Sequence, residues 1–244
     1  MKTIIKYLFF SCVFSTLLYS CKLDNYDYPD ASISGRIIDS ETNELVQSDL
    51  INGTTIKLIE HGYDPVSPQY LRVKSDGTYA NTLLFSNTYT VQPDSRNFLQ
   101  LDEQEIKIDN NTKLDFVVTP YLRIKDVSFV KDGNTIIVTF SIQQNTPDAV
   151  RKIGLYAHSE SIVGEPVRLV ASERIINRPV NSEEVFKLAI NLAKNSTFFK
   201  PNKSYYFRVG AVTSVPGIKF NYAPSKLFEI GEIVPEPEPV GTIF

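Results

Sequence analysis

From Ala31 to Ile230 the apolar residues recur with a period of two, and turn-forming residues cut the pattern into short runs. No other feature constrains the fold as much, because alternation sends successive side chains to opposite faces and suits strands with one face in a core. Ile33-Ser34-Gly35-Arg36-Ile37-Ile38 and Thr55-Ile56-Lys57-Leu58-Ile59-Glu60 are clear cases. Leu45-Val46, Tyr70 to Lys74, Tyr89 to Val91, Glu105 to Ile108 and Leu114 to Val118 continue the series. Together they give about seven short strands, the number expected of a small β-sandwich. Asp76-Gly77 predicts a tight hairpin turn, since Gly accepts the positive φ such turns require.

Pro120, within Thr119-Pro120-Tyr121-Leu122, interrupts the pattern once that set is complete. A second series follows at Leu122 to Val127, Ile136 to Ile142, Lys152 to His158, Arg168 to Ile176, Phe186 to Leu192, Tyr205 to Thr213 and Lys226 to Ile230, with Lys131-Asp132-Gly133-Asn134 as a hairpin turn. Ser182-Glu183-Glu184 could open a helix, but Phe186, Leu188, Ile190 and Leu192 alternate with Lys187, Ala189 and Asn191, which fits a strand better. The expected architecture is all-β, with two consecutive β-sandwich domains over residues 31–119 and 120–232.

The two ends of the chain follow other rules. Lys2 and Lys6 precede an apolar run from Tyr7 to Leu18, with no acidic residue before Asp24. This is the layout of a signal peptide, residues 1–20, whose core falls short of the ~20 residues that span a bilayer. Leu18-Tyr19-Ser20-Cys21 resembles a bacterial lipobox, which implies lipidation of Cys21 and attachment to a membrane. Residues 21–30 then form an acidic tether, and residues 233–244, with alternating Pro and Glu, an extended tail. Export removes Cys12 and the lipid occupies Cys21, so no disulfide is expected.

Material for chemistry is scarce: two Cys, two His and no Trp. His61 and His158 fall in different domains, and no G-x-S-x-G, P-loop or H-E-x-x-H pattern occurs. No catalytic residue, metal site or cofactor is therefore expected. A net charge of −3 leaves no basic surplus for phosphates, which argues against a nucleic-acid partner. Asp102-Glu103 with Glu105, and Glu183-Glu184, read as solvated loops rather than as a catalytic carboxylate pair. Aromatic side chains are the remaining resource, because a sugar ring packs its C–H bonds on an aromatic face. The candidates are Tyr63, Tyr70 and Phe98, in or beside turns of the first domain, and Phe220 and Tyr222, in the last hairpin of the second.

Several segments carry resemblances. Gly35-Arg36-Ile37-Ile38-Asp39, Thr42, Leu45-Val46, Ser75-Asp76-Gly77-Thr78-Tyr79 and Phe85-Ser86-Asn87-Thr88-Tyr89-Thr90-Val91 resemble the carboxypeptidase regulatory-like, or transthyretin-like, β-sandwich. That resemblance implies an accessory domain, with Gly35, Asp76 and Gly77 in structural roles. Phe199 to Ala211 resembles the entry to strand F of a fibronectin type III or immunoglobulin-like domain, implying that Tyr205 bonds back to the preceding corner while Phe207, Val209 and Ala211 face the core. The lipobox, the tether, the Ser34-Gly35-Arg36-Ile37-Ile38-Asp39 start and the Val118 to Val127 junction together resemble a Bacteroidetes family of unknown-function lipoproteins, whose genes tend to lie beside SusC-type importers and SusD-type glycan-binding lipoproteins. This implies a non-catalytic, lipid-anchored accessory protein of the outer membrane, facing the exterior, with a periplasm-facing orientation as the alternative. It would assist glycan capture or importer assembly, with SusC/SusD-type proteins and glycan as partners. A structural spacer or adhesin-like module is the alternative, and a cell-surface hydrolase the third reading.

Overall fold

The computed structural model describes residues 27–233; the signal segment, Cys21, the start of the tether and the tail from Val234 lie outside the described residues. The first domain contains β1 (Ala31–Asp39), β2 (Thr55–Glu60), β3 (Gln69–Arg72), β4 (Thr78–Leu84), β5 (Asn87–Asp94), β6 (Gln104–Ile108), β7 (Asn111–Lys113) and β8 (Phe116–Val118). One sheet has the order β4-β1-β7, with β8 also paired to β1, and the other the order β3-β2-β5-β6. The alternation does what it predicts. Ile33 and Ile37 of β1, Ile56 and Leu58 of β2, and Tyr89 and Val91 of β5 point inward and build one core with Tyr79 and Phe116.

Two details depart from the expectation. The Asp76-Gly77 turn forms, with Gly77 at φ 87°, the Asp76 carboxylate accepting from the Thr78 N–H and hydroxyl, and Lys74 bonded across it to Gly77 and Thr78, but the strands it joins do not pair with each other. β3 pairs with β2 and β4 with β1, so the turn carries the chain from one sheet to the other. The Leu114 to Val118 run is split as well. β7 and β8 lie parallel to β1 on either side of Leu114, whose N–H donates to the Ser34 carbonyl. The Leu114 carbonyl passes so close to Gly35 that a Cβ there would sit 1.8 Å from its oxygen, so the position requires glycine.

The second domain contains β9 (Leu122–Asp132), β10 (Thr135–Gln144), β11 (Val150–His158), β12 (Val170–Arg178), β13 (Phe186–Asn191), β14 (Lys203–Thr213), β15 (Asn221–Tyr222) and β16 (Lys226–Ile230). Its sheets have the orders β13-β10-β9 and β12-β11-β14-β15, with β16 also on β14. Residues 186–191 are a strand, as their alternation indicates. The Tyr205 hydroxyl donates to the Phe198 carbonyl at 3.0 Å and accepts from the Lys200 N–H at 3.0 Å, tying the corner that precedes β14.

β14 is buried on both faces. Phe207, Val209 and Ala211 enter the sandwich core, while Val212 on the opposite face joins a second apolar cluster with Tyr156, Val163, Phe220 and Tyr222. Arg208 lies on that second face too, and the first domain is docked against it.

Candidate functional site at the domain junction

Arg208 is 1% exposed, and its guanidinium has all five N–H donors occupied. Nε donates to the Ala223 carbonyl and Nη1 to the Val163 carbonyl, both in the second domain. Nη1 also reaches the Ser48 carbonyl, and Nη2 reaches the Gln47 side chain and the Ser75 carbonyl, all in the first domain. The charge lies 4.3 Å from the centre of the Tyr222 ring. One side chain therefore binds both sandwiches through a full set of acceptors, the condition under which a buried cation is tolerated.

Beside it, the Tyr222 hydroxyl donates to Asp49 Oδ2 at 2.9 Å and accepts from the Glu165 N–H at 2.8 Å. Asp49 is 4% exposed, and burial pushes its carboxyl up to about 6 despite the Tyr222 hydrogen bond and the charge of Arg208. Two asparagines complete the seam. Asn97 donates to the carbonyls of Gln47 and Phe220, and Asn221 donates to the Asn97 carbonyl while accepting from the Leu122 N–H. Isolated β-bridges join Gln47 to Tyr222 and Phe98 to Pro120.

Next to this seam a cleft of about 800 Å³ opens between the domains. The end of β1 and the turn after it supply Asp39, Glu41 and Glu44; β9 supplies Arg123, Lys125 and Asp126; Gln143 comes from β10, and Leu45 and Pro224 add apolar surface. Arg123 grips Asp39 through two bonds of 2.6 and 2.7 Å, and its other nitrogen lies 2.6 Å from Glu41 and 2.8 Å from Asn145. Burial would raise the Asp39 carboxyl, but Arg123 and the Glu41 N–H together hold it below the usual carboxylate range. Gln143 donates to Glu41 across the domain boundary. Asp126 occupies the left-handed region at φ 52°, where β9 carries one residue more than β10. This bulge turns its carboxylate to accept from Ser141 at 2.6 Å.

The five aromatic candidates separate into two groups. Phe98 is fully buried, and Phe220 and Tyr222 are also buried, so these three seal the junction and are not free loop rings. The expectation that they offer faces to a ligand is corrected for Phe98 and Phe220, which the opposite domain covers, while Tyr222, its hydroxyl engaged by Asp49 and the Glu165 N–H, is among the residues that line the cleft. Tyr63, in the β2–β3 loop, and Tyr70, on the edge strand β3, remain more than half exposed, and both lie outside the cleft. The two histidines stay apart: His61 is hydrogen-bonded to Thr90, and His158 accepts from the Glu160 N–H. The acidic clusters are surface ion pairs, Glu103 with Lys57 and Glu184 with Arg178. Among the described residues, no three His, Cys, Asp or Glu side chains form a group that could hold a metal ion. Arg208, Asp49, Asn97, Asn221 and the Arg123–Asp39 pair were not singled out by sequence. The available signal was the near-continuous apolar run around Arg208, which points to a strand buried on both faces.

Fold and site together define a fused pair of β-sandwiches with a polar cleft at their seam. Residues 31–119 match the N-terminal domain of a family described as protein of unknown function (DUF3823), and residues 122–226 match its C-terminal domain of unknown function; the chain belongs to this family. A crystal structure from Bacteroides uniformis, provisionally described as a carbohydrate binding protein, is similar with a TM-score of 0.78 and 34% identity, over 83% of this chain and 100% of that one. DUF3823 family proteins from Parabacteroides merdae (TM-score 0.71, 20% identity, 83% and 100% covered) and Bacteroides ovatus (TM-score 0.67, 22% identity, 81% and 97% covered) share the fold. No curated protein matches the chain significantly.

Proposed function

We propose that this protein is a non-catalytic, lipid-anchored accessory protein of the outer membrane that binds carbohydrate in the cleft between its two sandwiches. The observation that carries the reading is the cleft itself, with planar carboxylate, amide and guanidinium groups set around Leu45 and Pro224. Planar polar groups pair with neighbouring sugar hydroxyls, and apolar surface takes the C–H face of the ring. The carbohydrate-binding description of the Bacteroides uniformis relative supports the same reading. Acidic groups in the lining (Asp39, Glu41, Glu44 and Asp126) outnumber basic ones (Arg123 and Lys125), which favours neutral glycans over uronate-rich or sulfated ones.

Glycoside cleavage needs a carboxyl kept protonated beside the substrate. Asp39 is shifted in the opposite direction, and the raised Asp49 is sealed beneath Tyr222. The lipobox ending at Cys21 supports the anchor, and the resemblance to lipoproteins encoded beside importers supports SusC/SusD-type proteins as partners. Affinity electrophoresis in gels cast with a panel of polysaccharides tests the proposal. Retardation by a neutral polysaccharide is expected and should persist in Tyr70→Ala. Free migration in every gel would leave the spacer reading standing, and loss of retardation in Tyr70→Ala would move the site to the outer sheet.

A further inference from the structure

The chain enters the first domain at the end opposite the cleft. Four segments meet there: the entry Asp27 to Ala31, the loop after β2, the turn between β4 and β5, and the turn between β6 and β7, where the Asn110 carbonyl accepts from the Ser32 N–H. Ala31 pairs with Leu84, the Asp30 carboxylate accepts from the Ser86 N–H at 2.8 Å, and the Asn87 amide donates to the His61 carbonyl at 2.9 Å. This tip exposes Tyr28 at 91%, Leu83 at 73%, Tyr63 at 60%, Val66 at 50% and Phe85 at 43%. Apolar side chains gathered at one end of a domain, rather than scattered over it, mark a contact surface.

From this we infer that the tip rests on the lipid–water interface, with Tyr28, Leu83 and Phe85 in the headgroup zone. The inference depends on the proposed lipid at Cys21. Only six residue steps separate Cys21 from Asp27, and at up to 3.6 Å per step they reach at most about 22 Å in any conformation. An anchored chain therefore keeps this tip within that distance of the bilayer. Tyrosine and phenylalanine rings with a leucine suit the interfacial zone. Residues 27–31, 60–66, 83–87 and 107–113 carry Lys107 and Lys113 against Asp27, Asp30, Glu60, Asp64 and Asp109, a net negative set, so the contact rests on the apolar side chains and does not depend on anionic lipid. β1 then runs from Ala31 at the tip to Asp39 at the cleft, about 27 Å at 3.3 Å per residue, and lifts the cleft off the surface.

Cysteine usage makes the test clean, because with Cys12 removed and Cys21 acylated an introduced thiol is unique. Full-length protein, processed and lipidated in a bacterial host, is reconstituted into phosphatidylcholine vesicles carrying a quencher on the acyl chain. An environment-sensitive fluorophore is placed at Leu83→Cys or, on the far hairpin of the second domain, at Lys131→Cys. The Leu83 label should be quenched at least twofold more than the Lys131 label, unchanged by 0.5 M salt as about one Debye length of 4 Å would require of an uncharged contact. Equal quenching in protein that floats with the vesicles would overturn the tip contact and leave the anchor intact. Failure to float with Cys21 present would overturn the anchor and this inference with it. A Leu83 label shielded only when a second membrane protein co-purifies would assign the tip to a protein partner and also overturn the inference.

Discussion

Arg208 couples the domains through hydrogen bonds that no other side chain could replace, since five acceptors converge on one planar cation. Arg208→Met keeps the bulk but removes all five of these bonds from a dry seam, in which the Ser75 carbonyl would still accept from the Ser48 N–H. It should cost about 3–5 kcal/mol in urea denaturation, the range for breaking a buried charged network. Asp49 contributes in the opposite sense. Its folded pKa of about 6 lies above the 3.8 of an unperturbed Asp, so the native state holds the proton more tightly. Asp49 therefore causes stability to fall as pH rises from about 4 to 6, after which its effect is constant. Asp49→Asn should gain on the wild type over that window by up to about 3 kcal/mol, the equivalent of two pKa units. An unchanged difference between pH 4 and pH 7 would show that Asp49 does not titrate there. Asp39 has the reverse sign: held low by Arg123, it stabilises above its unfolded pKa and loses that contribution in acid. At this scale the sequence was least informative. Phe98, Phe220 and Tyr222 look like loop aromatics because local pattern cannot reveal that their turns pack against the opposite domain.

Strands and turns were far more legible, for a physical reason. The alternation of β1, β2 and β13 and the Lys131-Asp132-Gly133-Asn134 hairpin depend on residues close together in the chain, so local chemistry decides them. Pairing partners are decided elsewhere. Asp76-Gly77 has hairpin chemistry but links two sheets, because β1 takes β4 and β2 takes β3. β14 shows the same limit: Arg208 sits on its outer face, and only docking of the first domain makes that face an interior. Gly35 belongs at this scale as well. Gly35→Ala would force its Cβ into the Leu114 carbonyl, which also accepts from the Tyr79 hydroxyl, and so separate β1 from the segment joining β7 to β8. A loss of about 2–4 kcal/mol is expected, at or above the upper end for overpacking. A loss below about 0.5 kcal/mol in thermal or urea melts would mean that Leu114 can shift freely.

For the whole molecule, the seam predicts that the two sandwiches unfold together. Arg208, the Asn97–Asn221 exchange and the Arg123–Asp39 pair each span the boundary. Calorimetric unfolding should therefore give one transition whose calorimetric and van't Hoff enthalpies agree, and Arg208→Met should split it in two. Two transitions in the wild type would mean that the seam does not couple the domains. A rigid seam keeps the cleft open at fixed dimensions, which lowers the ordering cost of binding. The cleft was not legible either, since Glu41 comes to face Lys125, Asp126 and Gln143 of β9 and β10 only through the docking of two separate cores. The direct test is a calorimetric titration of wild type, Gln143→Ala and Lys125→Ala with oligosaccharides cut from whichever polysaccharide retards the protein. The account predicts saturable binding that weakens at least fivefold in each variant while their unfolding temperatures stay near that of the wild type. Equal affinity in all three proteins, or no heat of binding in any, would contradict it.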